Sequence, residues 1–277
     1  MSAPILVTGA TGTTGSRVVA RLRRQGRDVR AVSRGTPGAG HFEWADPKGW
    51  PALLEGVEAV YLVAPTDGSD PVPPFAEFLA VARESGVRRG VLLSSSALPE
   101  VGAGPGALPR LVRDHLEEYA ILRPSWFMTN VLGATPLAAG LRSGEVVTAT
   151  GDGRVAFVDP DDIAAVAVVC LLADQTPGTD LVLTGPEALG YAEVCAMVSA
   201  LLRRPIVHRS VDVGTYSRFL VEHGIPASYA PLLAALDEPI SRGSEDRVTD
   251  GVQRITGRPP RSFRAFLQDH AAELAAG

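Results

Sequence analysis

The stretch Pro4-Ile5-Leu6-Val7-Thr8-Gly9-Ala10-Thr11-Gly12-Thr13-Thr14-Gly15-Ser16-Arg17-Val18-Val19-Ala20-Arg21-Leu22 decides how the rest of the chain is read. An apolar run of strand length enters a glycine-rich turn, and the turn opens directly into a helical pattern. Val18, Val19 and Leu22 make one apolar helix face, with Arg17, Arg21 and Arg24 off it. Glycines at 9, 12 and 15 suit a strand-to-helix corner: one allows the sharp turn, one lets a pyrophosphate approach the backbone, and one lets the helix pack closely on the strand. The free N–H groups at the helix start, with the helix dipole, then hold phosphates. The spacing is G-x-x-G-x-x-G rather than G-x-G-x-x-G. A strand before it and a helix after it favour a dinucleotide site over a purely structural turn.

Working outward, Asp28-Val29-Arg30-Ala31-Val32 alternates as a second strand and leads to Ser33 and Arg34, where such a fold meets the adenine ribose. An acidic residue there binds a 2′-hydroxyl and repels a 2′-phosphate, whereas arginine accepts the phosphate. No Asp or Glu occupies positions 29–36, so NADP(H) is expected over NAD(H), with Arg34 as a solvated loop charge the alternative. Phe42-Glu43-Trp44 reads as a short strand, with Asp46 after it placed to approach the adenine. Ala59–Val63 forms a strand ending in Ala64 and Pro65. Ligands of doubly wound sheets lie beyond the carboxyl ends of the strands, so these two small residues line the cofactor cleft.

The strand Gly90–Leu93 ends in Ser94-Ser95-Ser96. These hydroxyls either face the nicotinamide and substrate, Ser94 on the cofactor and Ser96 as a catalytic candidate, or satisfy loop backbone. A Gly/Pro-rich loop, Pro99–Pro109, is expected to border a substrate mouth, and a helix covers Leu108–Glu118. A strand then covers Tyr119–Pro124. In the Trp126-Phe127-Met128 cluster that follows, Trp126 and Phe127 either join the core or floor a pocket for a flat substrate.

Past residue 145 the pattern changes. Asp159-Pro160-Asp161-Asp162 caps a helix over Ile163–Ala173, with the acids at its positive end as structural groups. Leu181–Leu183 is a buried strand, Tyr191–Leu202 a helix and Ile206–Val211 a strand. Three further helical patterns end at Phe263–Leu274. The expectation is an α/β fold with a doubly wound parallel Rossmann sheet. Residues 1–145 form its NADP-binding core; residues 146–277 complete the sheet and build a small, mostly helical substrate-binding subdomain.

Composition narrows the function. The chain has 277 residues and a net charge of −5, which gives no electrostatic case for nucleic acid or an acidic membrane. Cys170 and Cys195 stand singly in apolar helical patterns and read as buried reduced thiols. No charged leader precedes the first apolar run, and the longest apolar stretch, Ile163–Ala173, falls far short of the roughly 20 residues that span a bilayer. A cytoplasmic protein is expected. The five histidines show no ligand spacing, so no metal is expected. Oligomeric state stays open.

Gly9-Ala10-Thr11-Gly12-Thr13-Thr14-Gly15, Val32-Ser33-Arg34, Leu93-Ser94-Ser95-Ser96, Ile121 to Asn130, Asp162-Ile163-Ala164 and Leu183-Thr184-Gly185-Pro186 resemble the NmrA-like atypical short-chain dehydrogenases. The likeness is strongest to the branch holding bacterial NAD(P)H-dependent quinone reductases and ergot-alkaloid iminium reductases. It covers nearly the whole chain, down to Thr256-Gly257-Arg258-Pro259-Pro260. The resemblance implies that Thr11, Thr13 and Thr14 contact the pyrophosphate and that Pro124 and its neighbours border the nicotinamide.

The wider superfamily uses a tyrosine acidified by a lysine four residues later. This chain has one lysine, Lys48, and its tyrosines are at 61, 119, 191, 216 and 229, so no Tyr-x-x-x-Lys pair exists. A poised acid–base typically contributes 10² to 10⁴ in rate. Acceptors that need little protonation fit better: an iminium ion, a quinone or an activated enone, as an electron-poor, aromatic small molecule. Ser96, Asp114 and His115 are candidate substitute acids, with His115 otherwise a helix residue facing solvent. Two rival functions remain: an NADP(H)-binding redox sensor acting through a protein partner, and a ketoreductase or epimerase with a substitute acid.

Overall fold

Seven parallel strands form the sheet on which the first unit is built: β1 (Ile5–Val7), β2 (Val29–Ser33), β3 (Gly40–His41), β4 (Ala59–Val63), β5 (Arg89–Leu93), β6 (Glu118–Pro124) and β9 (Thr179–Leu183). Their spatial order is β3-β2-β1-β4-β5-β6-β9. The chain order reverses between β1 and β4, the place where doubly wound sheets take ligands. The structure is a computed structural model describing residues 3–34, 40–65 and 70–276. The central strands are aliphatic on both sides, as sheets covered on two faces require: Ile5, Leu6, Val7, Ala59, Val60, Tyr61 and Leu62 are all fully buried.

One face is covered by α2 (Trp50–Leu54), α3 (Val72–Glu84) and α4 (Leu108–His115), through Leu6, Val60, Leu62, Leu92 and Ile121. An aromatic cluster fills it, with Phe42 edge-on to Trp44 at 5.0 Å and to Phe78 at 5.6 Å between ring centroids. The other face carries α1 (Gly15–Arg24) beside α6 (Pro160–Leu172), and α6 lies across β4, β5 and β6. Helix α6 is apolar nearly all round, and therefore buried. Asp161 in its first turn is held at 3.3 Å by both Arg17 and Arg21 of α1.

Two compact units interleave along the chain. The first holds Met1–Pro124, Pro160–Leu183 and Gly251–Arg258; the second holds Ser125–Asp159, Thr184–Asp250 and Pro259–Gly277. The boundary expected at 145 falls inside the first stretch of the second unit.

Several local expectations shift. The strand expected at Phe42–Trp44 is instead β3, because Phe42 N already donates to Ser33 O and its ring turns into the core. The helix expected to reach Glu118 stops at His115. Leu116 is extended, and Arg89 grips Glu118 (Nε to Oε2, 2.9 Å) as the first residue of β6. Within the Pro99–Pro109 loop, Gly104–Ala107 is a 3₁₀ turn with Gly106 buried, since a Cβ there would sit 2.4 Å from Pro99 O.

The second unit pairs β7 (Glu145–Thr148) with β11 (Val207–Ser210) in parallel, and β8 (Arg154–Val155) with β10 (Leu189–Gly190) antiparallel. Around them pack α5 (Pro136–Ser143), α7 (Tyr191–Leu202), α8 (Val213–Glu222), α9 (Ala230–Ala235), α10 (Asp237–Ser241), α12 (Phe263–Asp269) and α13 (Ala271–Ala276), while α11 (Gly251–Thr256) belongs to the first unit. The three helical patterns expected after residue 211 are thus six short helices. Met128, Phe157, Tyr191, Phe263 and Phe266 form the unit's core. Among the described residues, no helix is long and apolar enough to cross a membrane.

Buried acids in this unit are mostly answered. Asp159 pairs with Arg261 at 3.0 Å, and Glu245 accepts from Ser125 Oγ at 3.2 Å. Asp237 is the exception. It is 7% exposed and, among the described residues, accepts only from Ala149 N, at 2.8 Å. Burial pushes its carboxyl from 3.8 to about 6. The unfolded chain therefore releases this proton before the folded protein does, so stability falls as pH rises from about 4 to about 6. The difference between the two states corresponds to about 3 kcal/mol. Asp237→Asn keeps an acceptor for Ala149 N and removes the charge. Denaturant titrations should show the variant gaining on the parent by up to about 3 kcal/mol between pH 4 and pH 7.5. A pH-independent difference would show that Asp237 carries no such penalty.

Candidate functional site

The site in the first unit begins where β1 ends. Thr8 is buried; its Oγ1 donates to Tyr61 O at 3.1 Å and accepts from Val63 N at 2.8 Å, which ties β1 to β4. Gly9 has φ +59°, and a Cβ there would meet Val63 Cβ at 3.0 Å. A Cβ on Gly15 would lie 2.2 Å from Gly9 O, so nothing larger than glycine lets α1 start this close to β1. Gly12 differs. It is exposed, and a Cβ there would contact only Gly9 O, at 3.3 Å, so its freedom faces outward.

Thr11, Gly12 and Thr13 are exposed along the turn. Among the described residues, the amides of Thr11 and Thr13 donate to no protein acceptor. No side chain caps α1, and its first turn holds no acid. Thr14 sits at the cap position with its hydroxyl turned inward, accepting from Tyr61 Oη at 3.0 Å. Burial raises the Tyr61 phenol above its usual range and keeps it a donor. The result is an open, electropositive helix start that fits a pyrophosphate.

At the end of β2, Ser33 is buried and its Oγ has no partner among the described residues. A buried hydroxyl without a partner is what a ribose-binding group looks like without its ligand. Arg34 beside it is exposed and pairs with no acid among the described residues. Asp46 is exposed and accepts from Lys48 N at 3.3 Å, capping the turn Pro47–Gly49. The residues present therefore fit a dinucleotide with a phosphate at its ribose.

Farther along the same sheet edge, Ala64 and Pro65 follow β4, Ser94 and Ser96 follow β5, and Pro124 ends β6. Ser94 N donates to Leu122 O at 2.7 Å and Ser96 N to Pro124 O at 3.0 Å, which sets these residues side by side. Arg123 holds the serine loop by donating from Nε to Ser95 O at 3.3 Å, and pairs with Asp180 at 3.4 Å. Sequence reasoning missed this arginine; its signal was a charged residue inside an apolar strand. His115 is not part of this group. It lies just before β6, next to Leu116, which packs on Gly90 at the amino end of β5. Its Nδ1 is 2.8 Å from Leu111 O of its own helix. Asp114 is likewise occupied, paired with Arg110 at 3.5 Å.

The second unit contains a cavity of about 250 Å³. Trp126 lines it, together with Asn130, Thr148, Tyr191, Tyr216 and Asp237; Phe127 does not contribute to its wall. Burial pushes Tyr191 and Tyr216 above the usual tyrosine range, and the Asp237 charge adds to the effect. Thr148 Oγ1 lies 2.8 Å from His208 Nε2, and burial lowers the His208 pKa, which keeps that ring neutral. Nothing in the sequence singled out Asp237, because Asp237-Glu238-Pro239 reads as an ordinary helix start.

Residues 9–174 match the model of a family described as NAD(P)H-binding. The oxidoreductase YesF of Bacillus subtilis (strain 168) is 41% identical over 97% of this chain and 96% of its own length. Festuclavine synthase I of Penicillium roqueforti (strain FM164) is 33% identical over 95% of this chain and 97% of its own. Among solved structures, the NADPH-dependent quinone oxidoreductase QOR2 of Escherichia coli, complexed with NADPH, superposes with a TM-score of 0.83 at 21% identity, covering 96% of this chain and 99% of that one. With the dinucleotide corner, the reversed strand order and these likenesses together, the chain belongs to the NAD(P)H-binding, NmrA-like atypical short-chain dehydrogenase/reductase family and is an NAD(P)H-dependent oxidoreductase.

Proposed function

We propose that the protein reduces an activated small-molecule acceptor, a quinone, an iminium ion or an enone, with NADPH, and does so without a tyrosine–lysine proton donor. The observation that carries the reading is the uncapped start of α1 facing solvent, with Arg34 and the buried Ser33 hydroxyl beside each other and, among the described residues, without partners. In this reading Gly9, Thr11, Gly12, Thr13, Thr14 and Gly15 cradle the pyrophosphate, and Ser33 and Arg34 take the phosphorylated ribose. Asp46 stands nearer the adenine, while Ala64, Pro65, Ser94 and Pro124 border the nicotinamide. Ser96, whose N–H donates to Pro124 O, is the catalytic candidate beside it.

When bound, the dinucleotide supplies a hydride, which an iminium carbon accepts with no accompanying proton. Support for such acceptors comes from two directions. The one lysine, Lys48, is exposed in the turn Pro47–Gly49, and Tyr61 is committed to Thr14. A festuclavine synthase among the similar sequences, and an NADPH-dependent quinone oxidoreductase that shares the fold, support the choice of such acceptors. Positioning of the acceptor then supplies most of the acceleration.

Two measurements test the reading. NADPH oxidation followed with a panel of quinones, cyclic iminium ions and enones should show steady turnover with at least one class. Tight NADPH binding with no turnover across the panel would replace this reading with a redox sensor. Arg34→Glu should lower the preference for NADPH over NADH, as a ratio of kcat/KM, by about 10- to 100-fold, the worth of one charged hydrogen-bonding partner. An unchanged ratio would remove Arg34 from the site.

A further inference from the structure

We propose that the cavity of the second unit recognises an organic cation, a positively charged nitrogen on a small aromatic compound, through the Asp237 carboxylate and the side chains of Trp126, Tyr191 and Tyr216. The inference deepens the function proposed above: among quinones, enones and iminium ions, only the last carries this charge.

Four features lead there. First, Asp237 is a buried carboxylate whose one donor among the described residues is a backbone amide. Buried charges are ordinarily paired, and this one faces a cavity rather than an arginine. Second, among the described residues no Arg, Lys or His belongs to the cavity wall, which disfavours a phosphate or carboxylate ligand and sets no basic side chain against the carboxylate. His208, reached through Thr148, is kept neutral by burial and adds no positive charge. Third, Trp126, Tyr191 and Tyr216 bring three aromatic rings to the wall beside the acid, and π-systems attract cations most strongly when desolvated. Both tyrosines stay protonated, so Asp237 supplies the one negative charge. Fourth, about 250 Å³ is several times a water's share of the liquid, about 30 Å³, so the cavity suits a small ring compound rather than a bare ion. A purely structural residue tying down Ala149 N would be served as well by asparagine, without the cost of a buried charge.

The probe is benzyltrimethylammonium, an aromatic quaternary ammonium that accepts no hydride, compared with its uncharged carbon analogue neopentylbenzene. Binding to the full-length protein is followed by calorimetry at pH 7.5 and by the change in total tryptophan fluorescence. The parent protein should bind the cation at least about tenfold more tightly than the analogue. Asp237→Asn should bring the two close to parity, and Asp237→Glu should retain a preference. Equal binding of the two compounds by the parent, a comparison that needs no variant, would overturn the proposal. So would an undiminished cation preference in folded Asp237→Asn. The outcome is separable from the proposed reaction: cation preference without NADPH turnover leaves this site standing, and turnover of quinones without cation preference removes it.

Discussion

The distance between Gly15 and the carbonyl of Gly9 is the constraint on which the first unit turns. A Cβ at position 15 would lie 2.2 Å from that oxygen, inside any real contact. Because the side chain is missing, α1 can start against the end of β1 instead of swinging away from it. Two neighbouring strands stabilise the same corner. Thr8 and Tyr61 join it to β4, and Ala10 N donates to Val32 O of β2 at 3.1 Å. A single close approach thus sets three strand ends and one helix start around one opening. The amides left over at Thr11 and Thr13 belong to that opening.

Charge is handled differently in the two units. In the first, the half-buried acids meet arginines: Asp161 is shared by Arg17 and Arg21, Asp180 by Arg113 and Arg123, and Glu118 is held by Arg89. With 25 of its 26 basic side chains arginine, the chain has forked donors for these pairs, and a guanidinium tolerates partial burial better than an ammonium does. In the second unit Asp159 follows the same rule with Arg261, while Asp237 departs from it. A group whose burial raises its own pKa, without a partner to offset the penalty, weakens the fold it sits in. Such departures concentrate at sites that bind or react.

How far the sequence could be read depended on how local each signal was. Ala59–Val63 and Tyr191–Leu202 are found at the residues their patterns indicate, because apolar periodicity and flanking glycines act within each segment. The glycine corner was legible for the same reason. His115 was not, because a residue's place in the chain does not say at which end of the sheet its helix finishes; Leu116 against Gly90 settles that. The cavity was the least legible feature. Its wall draws on residues near 126–137, 147–148, 191, 216 and 233–237, brought together by tertiary packing alone. No spacing rule connects Trp126 to Asp237.

The tyrosines bear on how a proton could be supplied. In the wider superfamily a nearby lysine lowers the pKa of a tyrosine until it serves as an acid near neutrality. Here Tyr61, Tyr191 and Tyr216 are all moved the opposite way, chiefly by burial, and the Asp237 charge pushes the last two further. A phenol with a raised pKa makes a weaker acid, so these side chains are better suited to shape and hydrogen bonding than to proton delivery. The group brought closest to neutrality from below is Asp237, at about 6. At pH 7 it is mainly ionised, and a carboxylate in that state attracts a cation more readily than it protonates a neutral oxygen. The acid–base balance of the second unit is thus set for holding a positive charge rather than for delivering a proton.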